Sequence, residues 1–341
     1  MTSKELVLDA MKGKATRIPI YYWLADPALE AKVGDIVGVR CWFRSLNFLE
    51  EGGPFKRGQE TRREWCDRLD PGNYDWPSVD ALEAEMDEIV AETIQVDSTK
   101  SFQLEILGPT EYSEYSCSPG RTSEARRLDQ VSHQFDFSIL TILDRQKADL
   151  IHRRFHDVLL AVTRQATKYE EIDSIRIADD FCSYTGSVYR PDFTERILER
   201  QINLGQAIME GGKYSILHSD GDISTYLTRL SRVYSGFHPL DLQSKSTLTD
   251  AREWARRLVE PRRLVPESVF FTGIPVDLLC NPDVSAQELV GVAESVIHAV
   301  GRNRLILTTT HRPYPGCLFR DFQNKVCAIG KFLNSQTTVG S

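Results

Sequence analysis

Tyr214-Ser-Ile-Leu-His-Ser-Asp-Gly-Asp222 is a short apolar run that stops abruptly in polar residues. Tyr214 to Leu217 reads as a buried strand that ends in His218 and Asp220. Two apart in extended backbone, these side chains leave on the same face. Gly221 permits a sharp turn, and Asp222 is placed to cap a following helix. An imidazole and a carboxylate projected from one strand end suit metal binding or proton handling. An ordinary strand terminus with turn residues has the same composition. A second apolar run, Leu305-Ile-Leu-Thr-Thr-Thr-His311, delivers another histidine in the same manner.

Outward from this stretch the pattern repeats. Residues 174–180, 214–220, 235–241, 269–274 and 304–311 are apolar runs ended by polar residues or Gly, and helix-length segments separate them. The segments 193–209 and 286–300 carry helical periodicity. Repeated strand-then-helix units imply parallel strands with right-handed crossovers. Upstream, residues 17–23, 35–42 and 101–108 are further strand candidates. About eight strands over this length fit a single closed (β/α)8 TIM barrel, residues 1–341, better than an open doubly wound sheet. Neither GxGxxG nor GxxxxGK[ST] follows any strand, which counts against the open nucleotide-binding alternative.

An N-terminal helix precedes the first strand, with Ser3 as N-cap and Leu6, Val7, Ala10 and Met11 on one face. Residues 44–77 are polar and aromatic and read as an irregular or antiparallel insertion over one end of the core. Its Phe55, Trp65, Tyr74 and Trp76 either line a pocket or pack. Residues 78–93 are densely acidic and read as an exposed helix.

The chain has 341 residues and a net charge of −8, which gives no basic footprint for nucleic acid. Seven cysteines without a CxxC pair fit reduced thiols in a cytoplasm better than a disulfide framework. No apolar run is long enough to span a membrane, and the N-terminus is too charged for a signal peptide. A homodimer is allowed for, and nothing in the sequence fixes it.

In a parallel barrel the chemistry gathers at the C-terminal strand ends. Those ends carry Asp179 and Asp180, His218 and Asp220, His238 and Asp241, Gly273, and His311, with Glu111 after the earlier strand. Alternation sends one of Asp179 and Asp180 into the mouth, and Asp180 is the one we assign there. His238 is expected to orient substrate or support a ligand, or else to pack against Pro239. Cys182, Tyr184 and Cys317 are expected wall residues. His152 and His156 have i, i+4 spacing, but Arg153 and Arg154 between them favour an exposed basic face over a chelate.

These pieces together resemble the uroporphyrinogen decarboxylase superfamily, which includes cobamide-dependent methyltransferases. They are Arg17-Ile-Pro-Ile after an N-terminal helix, Asp179-Asp-Phe-Cys-Ser-Tyr-Thr-Gly186 before Arg190-Pro-Asp-Phe, Leu217-His-Ser-Asp-Gly221, Ser235-Gly-Phe-His-Pro-Leu-Asp241, and Thr308-Thr-Thr-His311. The likeness covers most of the chain and is weak between about 40 and 130. It implies a TIM barrel with its site at the C-terminal mouth. The decarboxylases carry an arginine motif after the first strand; here Tyr21-Tyr-Trp-Leu-Ala-Asp26 has none. The thiol-directed methyltransferases bind zinc through His-x-Cys and a distant Cys. Here His218-x-Asp220 stands in that place, with His311 near the distant position; an alternative register would put Cys317 there.

The resemblance therefore implies His218, Asp220 and His311 as ligands of a divalent metal, zinc or Fe(II), beside Asp180, His238 and Glu111 as catalytic candidates. Two imidazoles and a carboxylate make a hard site with open positions, fit for Lewis-acid or 2-His-1-carboxylate iron chemistry. The implied reaction on a small-molecule substrate is methyl transfer, with any corrinoid carried by a separate partner protein. A metal-free decarboxylase or lyase, an Fe(II)-dependent oxidative enzyme, and a barrel that only binds remain open alternatives.

Overall fold

The computed structural model describes residues 1–43, 46, 55–56, 58–73, 76–117 and 136–335. The apolar runs become eight strands: β1 Ile20–Tyr21, β2 Ile36–Cys41, β3 Ser101–Leu107, β4 Ile172–Ala178, β5 Tyr214–His218, β6 Gly236–His238, β7 Val269–Ile274 and β8 Leu305–Thr309. From β2 onward each pairs in parallel with the next in sequence, and β8 pairs with β1, which leaves β1 and β2 as the two ends of the sheet order. The Asp35 amide donates to the Ile20 carbonyl (2.8 Å) where β2 meets β1. The Asp35 carboxylate accepts from the Ile20 amide (3.0 Å) and holds Arg17 (2.9 Å), so one side chain fastens the seam. With helices between the strands, this is a (β/α)8 TIM barrel.

The strands read as continuous apolar runs because both faces are covered. The outer face packs against helices such as Arg145–Ala166 and Ala286–Val300, whose buried stripes include Ile151, Phe155 and Leu159, and Leu289, Ala293 and Val296. The helix Ser3–Met11 closes the N-terminal end, where Val7, Ala10 and Met11 join Tyr21, Ile36, Val269 and Ile306 in one cluster. Its N-cap is Thr2 rather than the expected Ser3. The Thr2 hydroxyl accepts from the Glu5 amide and Glu5 reaches back, a reciprocal box that needs the cap three residues ahead of the glutamate.

Two other expectations are narrowed. The 44–77 insertion, as far as it is described, holds the helix Arg62–Arg68 and a 3-10 turn at Pro71–Asn73, with no strand among the described residues. Its aromatics pack rather than line a pocket: Trp65 is buried on Phe55, and Trp76 sits edge-on to Phe155; Tyr74 lies outside the described residues. The acidic helix Val79–Thr93 is only half exposed, since Leu82, Met86 and Val90 are buried.

His152 and His156 are buried, not exposed. Helix periodicity turns them onto the packed face while Arg153 and Arg154 point out. The His152 ring bonds the Thr110 hydroxyl (3.1 Å) and lies against the Arg200 guanidinium (2.7 Å), tying this helix to its neighbours.

Candidate metal centre

Register builds the site. Ala178 pairs with His218, and His218 pairs with His238, so the two histidines stand level on adjacent strands and face the same way. Their rings meet at 4.7 Å between centroids, with Nδ1 to Nδ1 at 2.5 Å. His238 Nε2 lies 2.9 Å from the Thr309 carbonyl at the end of β8.

A carbonyl only accepts, so His238 carries its proton on Nε2. Burial, and next the Arg176 charge, hold its pKa well below the usual imidazole range, so the ring is neutral and its Nδ1 is an acceptor. His218 must then donate from Nδ1. Burial and the His238 ring hold its pKa down too, so its Nε2 presents a lone pair. That lone pair faces Asp180 Oδ1 and Asp220 Oδ1, each at 3.8 Å.

One ligand atom from each of Asp180, His218 and Asp220 lies within 4.8 Å of the other two. The Asp220 amide donates to Asp180 Oδ1 (2.7 Å), which locks the β4 and β5 ends together. Gly221 follows with φ of 90°, a left-handed turn that leaves no room for a Cβ beside the Cys182 carbonyl. A neutral imidazole nitrogen converging with two carboxylates is a hard donor set that a divalent cation fits. The preset tautomer is the arrangement that metal-binding histidines share. The sequence led us to expect His311 beside His218 and Asp220; the three groups that converge within 4.8 Å here are Asp180, His218 and Asp220.

His311 lies on the wall of the same cavity, half-exposed. It donates from Nδ1 to the Arg312 carbonyl (2.9 Å) and stacks on Tyr314 at 6.1 Å. The cavity, about 450 Å³, is lined by Asp180, Asp220, Glu111, Glu114, Asp241 and His311 with Tyr115, Tyr184, Tyr189 and Cys182. Asp180, as assigned, faces it. Asp179 is buried, where its carboxylate accepts from the Glu111 amide (2.9 Å) and from Gln201, and burial pushes its carboxyl up to about 7. Gly108 makes this possible: a Cβ there would meet Asp179 Cγ at 2.3 Å. Glu111 reaches the cavity wall from the first turn of helix Pro109–Cys117. Glu114 caps helix Asp136–Leu143 through the Phe137 and Ser138 amides, both at 3.1 Å.

Three residues of the site carried no signal that we read. Trp23 sits among the histidines, 5.4 Å from His218, 5.9 Å from His238 and 5.3 Å from His311 between ring centroids. Arg176, inside the barrel, lies over Trp23 at 4.4 Å and pairs with Glu105. Lys245, on the loop after β6, is buried against Asp241 and the Trp254 ring, and burial draws its ammonium down to about 8. Trp23 ends the first strand run and belonged in the same inventory of strand ends. Arg176 reads as an ordinary strand residue until its inward direction is known.

The hydrogen-bonded histidine pair makes a direct prediction. His238→Phe keeps an aromatic ring but removes the acceptor for His218 Nδ1. Metal affinity should fall by about 10- to 100-fold, as loss of an outer-shell partner does elsewhere. Competition with a chromophoric chelator measures it. An unchanged affinity would mean that the pair does not set the His218 tautomer.

Fold and site together define a (β/α)8 barrel with a carboxylate-rich cavity and a candidate cation-binding cluster at its C-terminal mouth. No family model and no curated protein sequence matches the chain. Among solved structures, it is similar to a methyltransferase from Methanosarcina mazei, with 13% identity, coverage of 97% of this chain and 99% of that one, and a TM-score of 0.59. At that identity the likeness establishes the shared barrel. A B12-independent methionine synthase from Shewanella sp. W3-18-1 aligns at 10% identity over 78% of this chain and 70% of that one, with a TM-score of 0.37, too loose to argue from. No helix among the described residues is long and apolar enough to cross a membrane.

Proposed function

We propose that the chain is a metal-assisted enzyme that transfers a methyl group to or from a small molecule bound in the cavity. The observation that carries the metal is the His218 lone pair, fixed by His238 and Thr309 and aimed at two carboxylates. Asp180, His218 and Asp220 would hold a divalent ion such as zinc or Fe(II). When bound, the ion supplies positive charge that polarises an acceptor. Trp23 packs edge-on against both histidine rings. Glu111 and Asp241, on the cavity wall, are placed to contact substrate.

Methyl transfer rests on the superfamily resemblance of the strand-end motifs and on the barrel shared over nearly full length with the Methanosarcina mazei protein. In that resemblance the methyl carrier is a corrinoid on a separate protein, and we propose the same partner class here. Metal-free decarboxylation is the second reading. Asp220 favours it, because burial raises its carboxyl to about 6, where it can exchange protons near neutral pH.

The test uses methylcobalamin as a stand-in methyl carrier with panels of thiol, amine and phenol acceptors. Loss of its methyl group is followed by the visible spectrum, with and without added zinc or ferrous iron. Demethylation that needs the metal and disappears in Asp220→Asn supports the proposal. Turnover of a carboxylated compound with CO2 release by chelator-treated protein would overturn it in favour of decarboxylation.

A further inference from the structure

His311 stands two residues beyond the end of β8, on backbone that is tied down on both sides. The Thr309 hydroxyl accepts from the Trp23 amide (3.0 Å). The Thr310 amide donates to the Ile274 carbonyl (2.9 Å), and the Thr310 hydroxyl accepts from the Val276 amide (3.2 Å). The ring is held as firmly. Its Nδ1 lies 2.9 Å from the Arg312 carbonyl, which only accepts, so the ring carries its proton there. Trp23 packs on it at 5.3 Å between centroids, and Tyr314 stacks on it at 6.1 Å with 23° between the planes. Tyr314 is itself anchored, since its hydroxyl donates to Asp277 Oδ1 (2.6 Å). Burial holds the His311 pKa below the usual imidazole range, so the ring is neutral and Nε2 keeps a lone pair. Among the described residues that Nε2 takes no hydrogen bond, and it is not sealed from solvent. His311 lines the cavity that Asp180 and Asp220 also line. Of the three histidines at the mouth, His218 aims its lone pair at the carboxylates and His238 is bonded through both ring nitrogens. His311 alone of the three is left to meet a substrate.

We propose that His311 is the catalytic base of the methyl acceptor, its Nε2 receiving the proton of an incoming thiol or phenol as the methyl group arrives. This assignment rests on the methyl-transfer reading. The acceptor S–H or O–H bond breaks and its proton goes to Nε2. The electron pair so freed forms the bond to the methyl carbon. The bond between the methyl group and its carrier breaks, and that electron pair stays on the carrier. The product is a methyl thioether or ether, and the imidazolium returns its proton to water once the product has left. A ring fixed at Nδ1 and on its faces needs no reorientation before it accepts that proton.

The experiment compares wild type with His311→Gln in the methylcobalamin assay at one pH, using two kinds of acceptor. With an alkyl thiol or unsubstituted phenol, protonated at that pH, kcat/KM should fall by about 10²- to 10⁴-fold in the variant. With a polyfluorinated thiophenol or phenol, already ionised, the loss should stay below about 10-fold, because no proton has to be taken. Losses of the same size with both kinds would overturn the proposal and leave His311 a positioning residue. Wild type that is inert toward every acceptor would instead overturn the methyl-transfer reading, and this role with it. A readout independent of turnover is the nitrogen NMR spectrum of the imidazoles, in which the His311 signals are those lost in His311→Gln. The expected ring is neutral with its proton on Nδ1. A proton held on Nε2 would overturn the proposal whatever the kinetics.

Discussion

His218→Ala protein is expected to fold, to lose bound divalent metal, and to lose about 10³-fold in kcat/KM for methyl transfer. The expectation follows from what each ligand can do alone. Asp180 and Asp220 stand on turn residues with one oxygen each 3.8 Å from His218 Nε2, so they converge on the space that the imidazole faces. His218 is buried and rotationally fixed by its bond to His238, so it contributes a preorganised ligand with little entropy left to lose. Removing it leaves two carboxylates and a hole beside Trp23 that water can enter. Several kcal/mol of charge stabilisation would go with the ion, which converts to the stated rate loss. Elemental analysis of protein purified without a polyhistidine tag gives the first readout, and far-UV circular dichroism confirms the fold. Near-stoichiometric metal in the variant would remove His218 from the ligand set. Wild type that stays metal-free after reconstitution with zinc and ferrous iron would remove the metal altogether.

Arg176→Ala should cost about 3–5 kcal/mol of stability. Arg176 is 1% exposed and pairs inside the barrel with Glu105, itself 1% exposed. Truncation strands a carboxylate that keeps the Trp42 indole N–H as a donor (3.0 Å) but loses its counter-charge. It also opens a gap under Trp23, whose ring the guanidinium covers. A double variant, Arg176→Met with Glu105→Leu, should recover most of that loss, because the pair is replaced by apolar volume and no lone charge remains buried. Denaturant titration of the single and double variants measures the difference. Equal losses in both would show that packing, not the stranded charge, dominates.

Much of the barrel was legible because parallel strands covered on both faces leave unmistakable apolar runs. Val269–Ile274 lies where the run ends, and Tyr214–His218 begins where expected. The first strand shrank from 17–23 to Ile20–Tyr21, since only those residues find ladder partners on β8. The site was legible in part. His218, Asp220 and Asp180 stand on strand ends, where a barrel gathers its chemistry. The place of His311 was not, because its position depends on the Arg312 carbonyl and Tyr314 ring that turn it. The supporting role open to His238 was read from its strand end; that its partner is His218 follows from register across two strands. Helix faces misled us at His152 and His156: two flanking arginines suggested solvent, while the i, i+4 spacing marked the buried stripe.

Trp23 has a use beyond packing. The chain has five tryptophans, and Trp65 and Trp254 are fully buried. Trp23 packs against His218, His238 and His311, the last of which lines the cavity. An indole in van der Waals contact with an imidazole changes its emission when that ring gains a charge or a cation. Trp23 is thus a built-in optical gauge of the pocket, and a fluorescence titration with metal or candidate substrates can be read from the unlabelled protein. The difference spectrum against Trp23→Phe isolates its signal.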